Sequence, residues 1–226
     1  MYFSAEQRDA IYKVIFNRRD VRGEFKPDPI PEDVLLRILT AAHNAPSVGF
    51  MQPWDFIVVR DAEVKRKIKE GFTVAHQEAA RLFEGERRRT YESLKLEGIT
   101  EAPVGICVTC DRRRSGPVVI GRTANPEMDL YSAVCAVQNL WLAARAENLG
   151  VGWVSIIHHD ALRHALHIPA TITPIAYLCV GYVTAFHEKP ELEKVGWLPR
   201  LDLEKLIHYD RWPAEKNREP MPTEET

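Results

Sequence analysis

The sequence predicts an α+β fold in which one sheet is flanked by helices. Three observations predict it. Apolar patterning runs in the order helix, helix, strand, helix, strand, helix, strand, helix, strand. The four strand-like stretches are short and the helices long. The stretch Glu127–Asn148 is apolar nearly all round, the mark of a helix enclosed on every side.

Each element has its own signal. Ser4 followed by Glu6 and Gln7 reads as a helix start, and Ile11, Val14 and Ile15 supply an apolar face. That helix delivers Arg18-Arg19-Asp20-Val21-Arg22 at its C-terminal end. The second helix spans Pro31–Asn44, with Pro31 in its first turn and Val34, Leu35, Ile38, Leu39 and Ala42 at helical spacing. The loop Ala45–Trp54 is rich in distinct chemical types, and Asp55–Arg60 is a short buried strand. Residues 61–100 are helical and strongly charged, most of all from Glu84 to Arg89. They read as too polar for a core element, which leaves an exposed excursion or a flap over a site. Val104–Cys110 is the next strand, followed by a Gly-, Pro- and Arg-rich loop to Pro126. The long helix ends at Leu149-Gly150 as a C-terminal cap. Val151–Ile157 is a strand, Asp160–His167 a short helix, and Pro174–Tyr182 a strongly apolar strand. One short helix lies near Asp202–Ile207. Residues 1–210 read as a single domain and 211–226 as a Pro- and Glu-rich arm or disordered tail.

With 226 residues and a formal net charge of −2, the chain can bury a sizeable core and lacks the basic field of a nucleic-acid binder. No apolar run approaches the roughly 20 residues that span a bilayer, and the N-terminus lacks a signal-peptide pattern. The expectation is a cytoplasmic enzyme or binding protein with no membrane partner. Cys107, Cys110, Cys135 and Cys179 sit among apolar neighbours and read as buried thiols; the Cys107–Cys110 spacing lies in a strand, not at a helix start.

Four segments carry chemistry: Arg18–Arg22, Ser47–Trp54, Gly152–Ser155 and Trp197–Arg200. Arginine forks donate paired hydrogen bonds that suit phosphate oxygens, although a solvated charge run has the same composition. No GxGxxG or Walker loop is present. His158-His159 points to opposite faces of an extended segment, which favours a surface or capping role over a metal site, so no metal is expected.

Taken together, these segments resemble the nitroreductase-like flavoprotein superfamily. Its members carry Arg-Arg-Ser-Val-Arg-x-Phe, here Arg18-Arg19-Asp20-Val21-Arg22-Gly23-Glu24-Phe25. They carry Ala-Pro-Ser-x-x-Asn-x-Gln-Pro-Trp, here Ala45–Trp54, and an Arg before a Leu-Glu pair, here Arg200 before Leu203-Glu204. Asp20 replaces the usual Ser and Phe50 the usual Asn. Both departures, with Gly152-Trp153-Val154-Ser155, look like the 5,6-dimethylbenzimidazole synthase branch. The resemblance implies a mixed sheet flanked by helices, in an intertwined homodimer with a C-terminal arm and the flavin at the subunit interface. It also implies reduced FMN as substrate, supplied by a separate flavin reductase. With O2 the isoalloxazine is fragmented to 5,6-dimethylbenzimidazole, the lower ligand of vitamin B12, and erythrose 4-phosphate. A nitroreductase or dehalogenase-like relative that recycles FMN is the competing reading, and a flavin carrier the third.

On this resemblance Arg18, Arg22 and Arg200 hold the phosphate and the anionic N1 of the flavin, with Arg19 also on the ligand. Val21, Met51 and Pro53 line it. Ser47 and Gln52 bond ribityl hydroxyls or ring heteroatoms. Asp20 is the base, kept ionised by its arginine neighbours, and Ser155 bonds near N5 or the bound oxygen. Phe50, Met51 and Trp54 form an apolar wall, and residues 73–100 a lid. Asp20 as a mere ion-pair partner and Ser155 as a structural serine remain the alternatives.

Overall fold

The computed structural model describes residues 2–212. Helices α1 (Ala5–Asn17) and α2 (Glu32–His43) precede strand β1 (Trp54–Val59). Then come α3 (Ala62–Ala80), α4 (Gly85–Ser93), β2 (Val104–Asp111), α5 (Met128–Ala146), β3 (Leu149–Val154), α6 (His159–Leu166) and β4 (Ile172–Tyr182). The sheet order is β1-β2-β4-β3, antiparallel throughout. A single parallel bridge, Asp20 to Val151, adds the segment after α1 to the outer edge of β3. The chain divides into two compact units, one ending at Glu188 and the other starting at Lys189. This boundary lies well before the one expected at 210. The second unit holds α7 (Glu191–Lys194) and a 3-10 turn at Leu203–Leu206. The expected tail lies largely outside the described residues.

Side-chain alternation along β2 explains the layers. Ile106 and Val108 face α2 and α5, joining Leu35, Ile38, Val137 and Leu140 in one core. Cys107 faces the other way, where Ile68 and Phe72 of α3 and Leu162 of α6 close a second core with Tyr177 and Cys179. The sheet is thus covered on both faces, and β2 and β4 are its inner strands.

Several expectations need correction. The start of 61–100 is a core element, not a polar excursion: α3 buries Lys65, Ile68, Phe72 and Ala75. Lys65 is accommodated because its ammonium donates to the carbonyls of Ala102 (2.6 Å) and Pro103 (2.8 Å). Cys135 is exposed; only Cys107, Cys110 and Cys179 are buried, and burial pushes each of those thiols up to about 12. Asn148, at φ 60°, takes the left-handed turn after α5, so Leu149 and Gly150 already belong to β3. For α5, the expectation included a subunit interface as cover for its spare face, and one face of it is open within one chain. Tyr131, Val134 and Cys135 lie exposed, as do Ile11, Tyr12, Ile15 and Phe16 of α1, which buries no residue.

Candidate functional site

The helix α1 is held at its start by a capping box between Ser4 and Gln7. At its end the chain turns extended and lies along β3. Val21 N–H donates to the Val151 carbonyl at 3.0 Å. The Asp20 carboxylate accepts from the Trp153 N–H at 3.0 Å and from Arg22 at 2.6 Å. Gly152 permits this approach, because a Cβ there would lie 2.0 Å from the Val21 carbonyl oxygen. Beyond Arg22, one Glu24 oxygen accepts from the N–H groups of Arg22 (3.3 Å) and Gly23 (3.1 Å), and the other meets His187 Nε2 at 2.7 Å. Ser155, exposed, follows directly on β3. Asp20, Val21, Arg22 and the Gly152–Ser155 segment are therefore brought together.

Burial pushes the Asp20 carboxyl above its ordinary value, outweighing the pull of Arg22, the Trp153 N–H and Arg18. This corrects the expectation that the arginines hold it low. Desolvation wins because one paired guanidinium only partly replaces lost water.

The arginines divide. Arg18 lies over the indole of Trp141, 4.7 Å from the ring centroid. Arg22 is largely buried against Asp20. Arg19 turns inward, donating to the carbonyls of Phe16 and Arg18 (both 2.8 Å) and of Glu188. Both terminal nitrogens of its fork are committed to backbone carbonyls, where the resemblance had placed Arg19 on the ligand. Arg200 is an exposed residue of the second unit.

The Ser47–Trp54 loop is built on the opposite edge. Ser47 Oγ accepts from Gln52 N–H at 3.1 Å, Val48 N–H donates to Ser132 Oγ at 3.2 Å, and Arg114 holds the Gln52 carbonyl at 2.8 Å. Phe50 and Gln52 have positive φ, 53° and 45°, conformations that cost energy for residues with a Cβ and concentrate at ligand sites. Phe50 is 81 % exposed. Met51, Pro53 and Trp54 are enclosed in the chain, and Trp54 Nε1 donates to His43 Nδ1 at 3.2 Å. Within one chain Met51 and Trp54 are core residues, leaving Phe50 as the outward part of the expected wall.

The loop runs into edge strand β1 and Asp20 lies outside edge strand β3. Four strand spacings, three from β1 to β3 and one more to the Asp20 segment, set the two segments ~19 Å apart across the sheet. Along α5, the loop is tied to Ser132 and the arginine run to Trp141, ~13 Å farther on at helical rise. One chain does not join them.

In the 73–100 segment, His76 stacks between Phe72 (5.3 Å) and Tyr91 (4.8 Å), tying α4 to α3. Glu97 is buried with Lys69, Lys95 at 2.8 Å and the Ile99 N–H at 2.8 Å. His158 pairs with Glu78 at 2.6 Å. No metal-binding group of three ligands occurs among the described residues. Trp141 and Arg114 contribute contacts that sequence reading did not single out. Their only signal was an indole or charge beside a motif, which is too common to weigh.

The Nitroreductase family profile matches residues 15–182. A Rhodospirillum rubrum protein named 5,6-dimethylbenzimidazole synthase is 42% identical over 198 residues, covering 88% of this chain and 93% of that one. A Rhodobacter capsulatus protein of the same name is 37% identical over 204 residues, 90% of this chain and 98% of that one. In structure the chain is similar to oxidised iodotyrosine deiodinase bound to FMN and 3-iodo-L-tyrosine. The TM-score is 0.70 at 22% identity, covering 89% of this chain and 100% of that one.

Proposed function

The chain belongs to the Nitroreductase family, and on that premise we propose that it is a 5,6-dimethylbenzimidazole synthase acting on reduced FMN and O2. The observation that carries this reading is Asp20. It stands where the resemblance expects a serine, is half-buried, and is held by the Trp153 N–H and Arg22 beside exposed Ser155. An enzyme that only recycles flavin has no need of a base at that place.

The residues fit a flavin phosphate and an anionic ring. Arg18, over the Trp141 ring, and Arg22, beside Asp20, place two guanidiniums at this edge, and arginine forks match the oxygens of a phosphate. When bound, reduced flavin supplies both the electrons for O2 and the carbon skeleton of the product. The chain's own part is to orient and to move protons. Asp20 takes a proton from the ribityl chain at C1′ or a hydroxyl, and Arg22 fixes its carboxylate. Ser155 offers a hydroxyl on the same edge. Ser47 and Gln52 address ribityl or ring polar atoms from the other loop. Erythrose 4-phosphate leaves as the second product.

A homodimer is part of the proposal. It is supported by the separation of the two segments and by the apolar side chains that α1 and α5 leave exposed. A second copy can bring its Ser47–Gln52 loop to the Asp20 edge of the first. Within residues 73–100 the part that serves as a lid in this reading is α4, supported by its polar sequence and by the ring stack that joins it to α3. No helix among the described residues is long and apolar enough to cross a membrane. A cytoplasmic location and a separate flavin reductase as electron source complete the proposal.

The test is to mix the purified protein with chemically reduced FMN, admit air, and follow products by liquid chromatography and mass spectrometry. 5,6-Dimethylbenzimidazole formed in step with flavin loss is the expected result. FMN reoxidised without that product overturns the proposal and makes NADH-driven reduction of nitro or halogenated aromatics the next assay.

A further inference from the structure

Trp141 touches the arginine run at two points and its strand neighbour at a third. Its ring carries the Arg18 guanidinium at 4.7 Å. Its Nε1–H donates to the Arg19 carbonyl at 3.3 Å. Its edge meets Trp153, centroid to centroid 6.4 Å, and Trp153 is the residue whose N–H holds Asp20. The indole comes from α5, whose neighbouring residues Val137, Leu140 and Ala144 are fully buried. The platform is therefore rigid. One turn further on, Arg145 is engaged elsewhere, over Phe186 at 3.9 Å and on the Asn17 carbonyl at 3.2 Å.

We propose that Trp141 is a positioning residue for the flavin phosphate, acting through Arg18. An arginine is a long side chain with many rotamers, and fixing it before the ligand arrives removes an ordering cost from binding. A ring face under the guanidinium does this by holding the plane of the fork through cation–π attraction. The indole N–H adds a second restraint by pinning the backbone between Arg18 and Asp20. This inference rests on the reading of Arg18 as a phosphate ligand.

The experiment compares FMN with riboflavin, which lacks the phosphate, by quenching of flavin fluorescence on the full-length protein. Wild type is expected to prefer FMN. Trp141→Leu, which removes the ring face, is expected to cut that preference about tenfold. Trp141→Phe, which keeps a face and loses only the N–H, is expected to cut it about threefold. In an Arg18→Ala background neither substitution lowers the preference further. A merely structural role weakens both flavins alike and leaves the ratio unchanged; that result overturns the proposal, and Trp141→Phe delivers it if Trp141→Leu does not fold. A wild type without preference for FMN overturns the phosphate reading itself, and the role of Trp141 falls with it.

Discussion

Adding one methyl group at Gly152 tests whether the Asp20 segment is held in place by β3. An alanine Cβ at that position would sit 2.0 Å from the Val21 carbonyl oxygen and 3.8 Å from Asp20 Oδ1. A carbon and a carbonyl oxygen rest at ~3.3 Å, so the Val21 carbonyl must retreat by ~1.3 Å. The bond from Val21 N–H to Val151 and that from Trp153 N–H to Asp20, both 3.0 Å, then leave hydrogen-bonding range. One is neutral and one charge-assisted, and losing both costs about 3 kcal/mol. For a chain of this size that lowers the melting temperature by about 10 °C. Displacing the base by ~1 Å costs ~100-fold in rate. The assay is product formation from reduced FMN in air, with thermal melting alongside. Gly23→Ala is the control, since its Cβ would meet only Lys95 Cγ at 3.8 Å. A Gly152→Ala protein with wild-type rate and melting temperature would refute the reasoning.

Three further outcomes follow from the same geometry. Asp20→Asn is expected to keep FMN binding and lose product formation by ~100-fold or more; a wild-type rate removes the base assignment. Because burial raises Asp20, its contribution to stability is fully present below the ordinary carboxylate range and is lost as pH rises through the raised value. Denaturant titrations of Asp20→Asn across that window should therefore be flatter with pH than wild type. Burial also pushes the Glu97 carboxyl up, but Lys69, Lys95 and the Ile99 N–H outweigh it and hold it low. Its stabilisation is present above the ordinary carboxylate value and is lost as pH falls through the lowered one. Glu97→Gln is expected to cost about 2–3 kcal/mol at neutral pH, measured by urea unfolding, because two ammonium groups lose their buried partner. Val134→Glu places a charge on the exposed face of α5; light scattering is expected to show a monomer with flavin binding lost, and a dimer with intact binding contradicts the proposed interface.

The element order was legible because most of its segments follow simple periodicities. Helix α3 was misread for a definable reason. Its inward residues Lys65, Ile68, Phe72 and Ala75 are separated by charged ones, and a buried lysine looks polar in sequence even when two carbonyls satisfy it. The chemistry of the Asp20 site was readable as residue types, but its electrostatics was not. Arginine neighbours are visible in sequence, whereas the burial that outweighs them depends on the fold, which lays Asp20 beside Val151 of β3, more than a hundred residues away. Arg19 shows the same limit: nothing in an arginine pair tells which fork turns to ligand and which to the Glu188 carbonyl. Exposure of Cys135 on an apolar helix was equally hidden, since an apolar face reads as core whatever covers it.

The placement of the two motifs at opposite edges of the sheet has a genetic consequence. If each reaction centre draws on two chains, loss-of-function changes divide into two groups within one gene. A chain damaged at Asp20 still carries a sound Ser47–Gln52 loop, and a chain damaged in that loop still carries a sound Asp20. Neither restores activity with its own kind. Mixed together, they form hybrids in which one centre is defective twice over and the other is intact, so two inactive alleles rescue each other.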